Sequence, residues 1–94
     1  MQGNYKIEIH RNVAKTFKTL DNKLKSQIKK AILALAFNPR PDSCESLKGY
    51  PNLYRIRVRD YRIVYEIKDD KLLVTVVEVD SRGGIYDQLK RRRL

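Results

Sequence analysis

Between Tyr54 and Ile67 the chain reads YRIRVRDYRIVYEI, a segment that contains four arginines, Arg55, Arg57, Arg59 and Arg62. A guanidinium is planar, permanently charged, and able to fork onto two oxygens of one phosphate. If Arg59 and Asp60 are the central residues of a tight hairpin, Val58 faces Tyr61, Arg57 faces Arg62, Ile56 faces Ile63 and Arg55 faces Val64. Opposed residues share a face of a sheet. Tyr54, Ile56, Val58, Tyr61, Ile63 and Tyr65 then line one face, while Arg55, Arg57 and Arg62 gather on the other with Glu66 one step along. Like charges set directly opposite each other cost a few tenths of a kcal/mol up to about 1. A bound anion would cancel that cost, and so would plain hydration. Three arginines on one patch, with Arg82, Lys90, Arg91, Arg92 and Arg93 further on, favour a phosphate-binding face over a merely solvated one. A one-residue slip in register would disperse the cluster.

The other reactive residues are sparse. His10 is the only histidine, so the chain offers neither a two-histidine nuclease pair nor a His-rich metal site, and His10 reads as a surface residue at a strand end. Cys44, the only cysteine, can form neither an internal disulfide nor a CxxC knuckle and reads as a bystander. Asp69 and Asp70 are ordinary turn residues between strands. No phosphate-binding glycine loop, GxSxG or HExxH motif occurs. Neither a cofactor nor a metal site is expected, and a nuclease built from these residues should work without metal.

A chain of 94 residues predicts one domain, residues 1–94. Its 21 Lys plus Arg against 11 Asp plus Glu give a formal charge of +10, a field that suits a polyanion. Of the polyanions, a membrane is disfavoured: no apolar run could span one, no signal-peptide centre is present, and the helices spend their apolar sides on a core. Nucleic acid and acidic proteins remain, and a cytoplasmic location is expected.

The elements that must hold the arginines can be read from periodicity. Tyr5, Ile7 and Ile9 alternate with Lys6 and Glu8, predicting a first strand over Asn4 to His10. Val13, Ala14, Phe17 and Leu20 follow helical spacing, and Asp21 offers an N-cap to a second helix striped by Leu24, Ile28, Ala31, Ile32 and Leu35. Pro39 and Pro41 stop that helix. The two alternating runs around Asp60 form the hairpin, and Lys71 to Val79, apolar on both faces near its middle, predicts an interior strand. Gly83 and Gly84 interrupt the chain before a short basic C-terminal tail or helix. The expected fold is α+β, ordered β-α-α-β-β-β, with an αα-hairpin packed on a mainly antiparallel four-stranded sheet.

SLKGYPNLYRIRVRDYRIVYEI, from Ser46 to Ile67, and VEVDSRGGIY, from Val77 to Tyr86, resemble the basic strand, the Tyr-Arg-x-x-Tyr strand and the final segment of the RelE/ParE toxins. The element order is similar to that family's over nearly the whole chain. The resemblance to the RelE branch implies a toxin of a toxin–antitoxin system. Such a toxin is a ribosome-dependent mRNA interferase that cuts message in the ribosomal A site and is held inactive by an acidic, RelB-like antitoxin in a hetero-oligomer. It implies attack of the ribose 2′-hydroxyl on the adjacent phosphorus, with Arg55, Arg57, Arg62, Arg82 and Tyr86 as the catalytic set. Tyr86 would stack on an exposed base, and Arg59, Lys90, Arg91, Arg92 and Arg93 would hold RNA or ribosome. The basic strand carries lysines in the best-known members, where a lysine is the usual candidate for the general base. Arg55 and Arg57 are not natural bases. Glu66 is the candidate on the inferred face, although it could equally be a diagonal partner of Arg55. Two other readings stay open: a ParE-like toxin that binds DNA gyrase, and a basic module that binds nucleic acid or antitoxin without catalysis.

Overall fold

In a computed structural model that describes residues 4–81, the elements run β1 (Lys6–Ile9), α1 (Arg11–Phe17), α2 (Asn22–Ala34), β2 (Glu45–Ser46), β3 (Leu53–Val58), β4 (Tyr61–Lys68), a 3₁₀ turn (Asp69–Lys71) and β5 (Leu73–Ser81). Each helix begins where a side chain satisfies an orphan amide. Nδ1 of His10 accepts from the Asn12 amide at 3.2 Å, and Asp21 Oδ1 accepts from the Leu24 amide at 2.8 Å. The first helix ends at Phe17, short of Leu20, because the amides of Lys18, Thr19 and Leu20 tighten onto carbonyls three residues back. Leu20 still reaches the core. The second helix tapers through Phe37 and Asn38, both bonded to the Ala34 carbonyl, and Pro39 follows.

Among the described residues the sheet has five strands in the order β1-β5-β4-β3-β2, where four were expected. The addition is Glu45–Ser46, which pairs antiparallel with Arg55 and Tyr54. Two residues cannot display a period, so pattern alone could not find this strand. At the other edge β1 runs parallel to β5 and is shorter than expected; every other pairing is antiparallel. The last strand starts at Leu73 because Asp69–Lys71 closes into the turn and Leu72 takes a left-handed φ of 48°.

Val13, Leu20, Ile28, Ile32 and Leu35 from the helical layer meet Ile56, Ile63, Tyr65, Ile67, Val74, Val76 and Val79 from one sheet face. Tyr65 is fully buried there, and its hydroxyl donates to the Pro39 carbonyl at 2.7 Å, so its polar tip is satisfied. A register shift against β5 falls between Val64 and Tyr65, so Val77 is the unpaired extra residue of β5. Val77 packs with Leu47, Val64, Tyr50 and Leu53 in a second, smaller cluster. The sheet face away from the helices is therefore apolar at one end and charged at the other.

Candidate active site on the arginine face

The hairpin forms in the register that its sequence implies. Val58 pairs with Tyr61, Arg57 with Arg62, Ile56 with Ile63 and Arg55 with Val64, leaving Arg59 and Asp60 as the two-residue turn. Arg59 takes the left-handed φ of 57° that such turns demand. With Ile56, Ile63 and Tyr65 committed to the helical side, Arg55, Arg57 and Arg62 share the opposite face. Arg57 is exposed, while Arg55 and Arg62 are half-buried. Arg57, Arg59, Asp60, Tyr61 and Arg62 line an open cavity of about 340 Å³ at the turn end. Arg59 also reaches around the sheet, where its Nη1 donates to Gln27 Oε1 on α2 at 3.4 Å.

Both flanking strands bring carboxylates to this face, and sequence reading missed all of them. On β2, Glu45 stands opposite Arg55; on β5, Asp80 stands opposite Arg62 and the buried Glu78 opposite Val64. The Arg55 Nη2 donates to Glu45 Oε1 in an ion pair, so Arg55 is not held diagonally by Glu66. That hydrogen bond is the main reason the Glu45 carboxyl lies below its ordinary range; the charge of Arg55 adds to it, as do those of Arg57 and Arg62. Among the described residues the ion pairs are Arg55 with Glu45 and Arg40 with Asp69, and Arg57 and Arg62 enter neither. Glu66 pairs with Leu53 across the hairpin and with Thr75 on β5, on the same face but nearer its apolar end. The one sequence-level sign of Glu45 is its place just before the loop into the basic strand, and only the strand pairing shows what it faces.

Arg82, Tyr86, Lys90, Arg91, Arg92 and Arg93, with the tail expected to carry them, lie outside the described residues. His10 caps α1, Cys44 packs partly buried beside the core, and Asp69 and Asp70 form the turn before β5. Among the described residues no three His, Cys, Asp or Glu side chains group as a metal site would need, and no helix is long and apolar enough to cross a membrane. The arginine row can bind a phosphodiester through forked hydrogen bonds and stabilise charge that develops on its oxygens. The carboxylates beside it can accept protons.

Known proteins share this arrangement of chain. The mRNA interferase toxin RelE of Escherichia coli K12 is 29% identical over 94 residues, covering 96% of this chain and 98% of its own. The free structure of an arginine double mutant of E. coli RelE superposes with a TM-score of 0.78 at 27% identity, covering 97% of this chain and 99% of that one. RelE in the archaeal RelE–RelB complex of Pyrococcus horikoshii gives 0.77 at 25% identity, covering 85% and 97%. The family model described as the ParE toxin of the parDE type II toxin–antitoxin system matches residues 7–86, from the first strand to beyond the last. The chain belongs to that toxin family.

Proposed function

We propose that this toxin is a RelE-type mRNA interferase: an endoribonuclease that cuts message in the ribosomal A site by 2′-hydroxyl transphosphorylation, without metal. The observation that carries the reading is the pairing of Arg57 with Arg62 beside Arg55 on the sheet face that the helices leave free. Two guanidinium groups opposed across a hairpin repel each other, a cost that a bound anion offsets, and a scissile phosphate is such an anion. Cleavage leaves a 2′,3′-cyclic phosphate and a 5′-hydroxyl. The arginines stabilise the charge on the phosphorane oxygens, and the ribosome presents the message in line. Arg82 would add a fourth guanidinium and Tyr86 a stacking surface for a base, a contact worth roughly 1 to 3 kcal/mol in single-strand binders. The likeness to RelE crystallised with RelB supports an acidic, RelB-like antitoxin as the partner that holds the toxin inactive.

A cell-free translation reaction read by primer extension tests this. The wild-type chain is expected to leave discrete cuts in translated message. Arg62→Ala is expected to abolish them while changing folding stability by less than about 1 kcal/mol, because this half-buried charge enters neither ion pair found among the described residues and truncating it relieves its repulsion with Arg57. Arrest without cuts would favour a basic module that only binds. Unimpaired translation together with inhibited DNA gyrase would favour the ParE-like reading that the family name suggests.

A further inference from the structure

Transphosphorylation requires a group that takes the 2′-hydroxyl proton, and guanidinium groups, which stay protonated, are unsuited to it. Among the described residues four carboxylates share the arginine face. Glu66 lies toward the apolar end of the face, paired with Leu53 and Thr75, and enters neither ion pair found among the described residues. Glu78 is buried. Asp80 is drawn back to its own strand, where its Oδ1 accepts the Ser81 amide at 2.8 Å. Glu45 differs from these three. It stands directly opposite Arg55 at the sheet edge, touches that guanidinium, and leaves 59% of its side chain open to solvent.

We propose that Glu45 is the general base of the cleavage, accepting the 2′-hydroxyl proton of a nucleotide whose 3′-phosphodiester lies on Arg55, Arg57 and Arg62. The proposal rests on the reading of the chain as an RNA-cleaving toxin. The O2′–H bond breaks and its proton passes to the Glu45 carboxylate as O2′ bonds to phosphorus. The P–O5′ bond then breaks, its electron pair leaves on O5′, and O5′ takes a proton from water. Glu45 returns its proton to solvent after the products leave. The charged groups on the sheet face that carries Glu45 are Arg55 and Arg57 on the adjacent β3, then Arg62 and Glu66 one strand further on β4, and Glu78 and Asp80 beyond them on β5. In the free protein the arginines keep Glu45 ionised but weakly basic. A phosphate seated on them offsets their positive field and sets a negative charge beside the carboxylate. Both changes raise its affinity for a proton when the hydroxyl arrives.

The test uses the full chain on ribosomes programmed with a short message, and measures single-turnover cleavage from about pH 6 to about pH 8.5. Wild-type cleavage is expected to be nearly flat with pH, since Glu45 is ionised throughout. Glu45→Gln is expected to lose about 100-fold or more at neutral pH. Its remaining rate should climb about tenfold per pH unit, because hydroxide must now take the proton. Glu45→Ala should recover rate with added formate and not with chloride at equal ionic strength. A Glu45→Gln rate within about threefold of wild type would overturn the proposal. So would a lower rate that stays flat with pH and is not rescued by formate, which would make Glu45 only a counter-ion for Arg55. A sloped profile for Glu66→Gln in place of Glu45→Gln would move the role to Glu66. A Glu45→Gln chain that melts far below the wild type would make the residue structural. Failure of the underlying reading would look different: wild type itself would make no cut, or would cut equally well a message with a 2′-deoxy sugar at the scissile position.

Discussion

Asp69 grips Arg40 with both carboxylate oxygens, at 3.2 and 2.8 Å, and accepts the Tyr5 hydroxyl at 2.6 Å. Arg40 in turn lies over the Tyr54 ring, 5.2 Å from its centroid. The hydrogen bonds from Arg40, and then from Tyr5, hold the Asp69 carboxyl at about 2, well below its ordinary range. A carboxyl depressed in the folded state stabilises it above the unfolded value near 3.8, and that contribution fades as pH falls toward 2. Asp69→Asn is therefore expected to lower the melting temperature at neutral pH, with the gap to wild type closing between about pH 4 and about pH 2. A gap that persists unchanged at acid pH would assign the role to packing. Sequence identified Asp69 as a turn residue and could say no more, because its partners lie 29 and 64 positions away. The arginine row was legible for the opposite reason: its members meet through a two-residue turn and a period of two, both of which are local. Glu45 was not, since a pairing across a loop leaves no local pattern.

At the scale of elements, the turn that builds the site is strained in a telling way. Arg59 sits at φ 57° in a position that favours glycine or asparagine. A left-handed conformation costs an ordinary residue roughly 1 to 2 kcal/mol, while glycine gives back roughly 0.5 to 1 kcal/mol through the freedom of the unfolded chain. The long, exposed contact of Arg59 with Gln27 offsets little of this. Arg59→Gly is accordingly expected to gain about 0.5 kcal/mol, or roughly 2 to 4 °C in melting temperature, and to weaken RNA binding by removing a charge from the cavity rim. Stabilisation without any loss of binding would show that the arginine is incidental there. The helices and the long strands were readable because each repeats its pattern over at least one full period, and the Asp21 cap because its residue type stands at the start of such a pattern, whereas the cap that His10 gives α1 was not. The two-residue β2, the bulge at Val77 and the loop that covers one end of the free face depend on tertiary pairing, which no window of sequence contains.

For the whole molecule, the charge of +10 fixes the sign of the partner and not the place where it binds. Salt dependence separates the contributions, since binding to single-stranded RNA falls with salt at a slope of about −0.7 for each phosphate neutralised. Arg55, Arg57 and Arg62 alone would account for a slope near −2. The proposal that Lys90, Arg91, Arg92 and Arg93 also hold RNA adds up to four contacts, so these seven side chains together account for a slope of up to about −5, to which Arg59 and Arg82 would add. Removing residues 90–94 takes the formal charge from +10 to +6 and should flatten the slope by up to about 3, in fluorescence-anisotropy titrations of a labelled, uncleavable 2′-deoxy oligonucleotide. Arg62→Ala should flatten it by only about 0.7. Their effects on chemistry should run the other way. The shortened chain is expected to cut at nearly the wild-type single-turnover rate once saturated on the ribosome, because the tail supplies attraction and not the charge at the phosphorus. Arg62→Ala, saturated in the same way, should still fail to cut. A shortened chain that binds with an unchanged slope would place the tail away from RNA. One that binds normally and cannot cut would put a catalytic group within the last five residues.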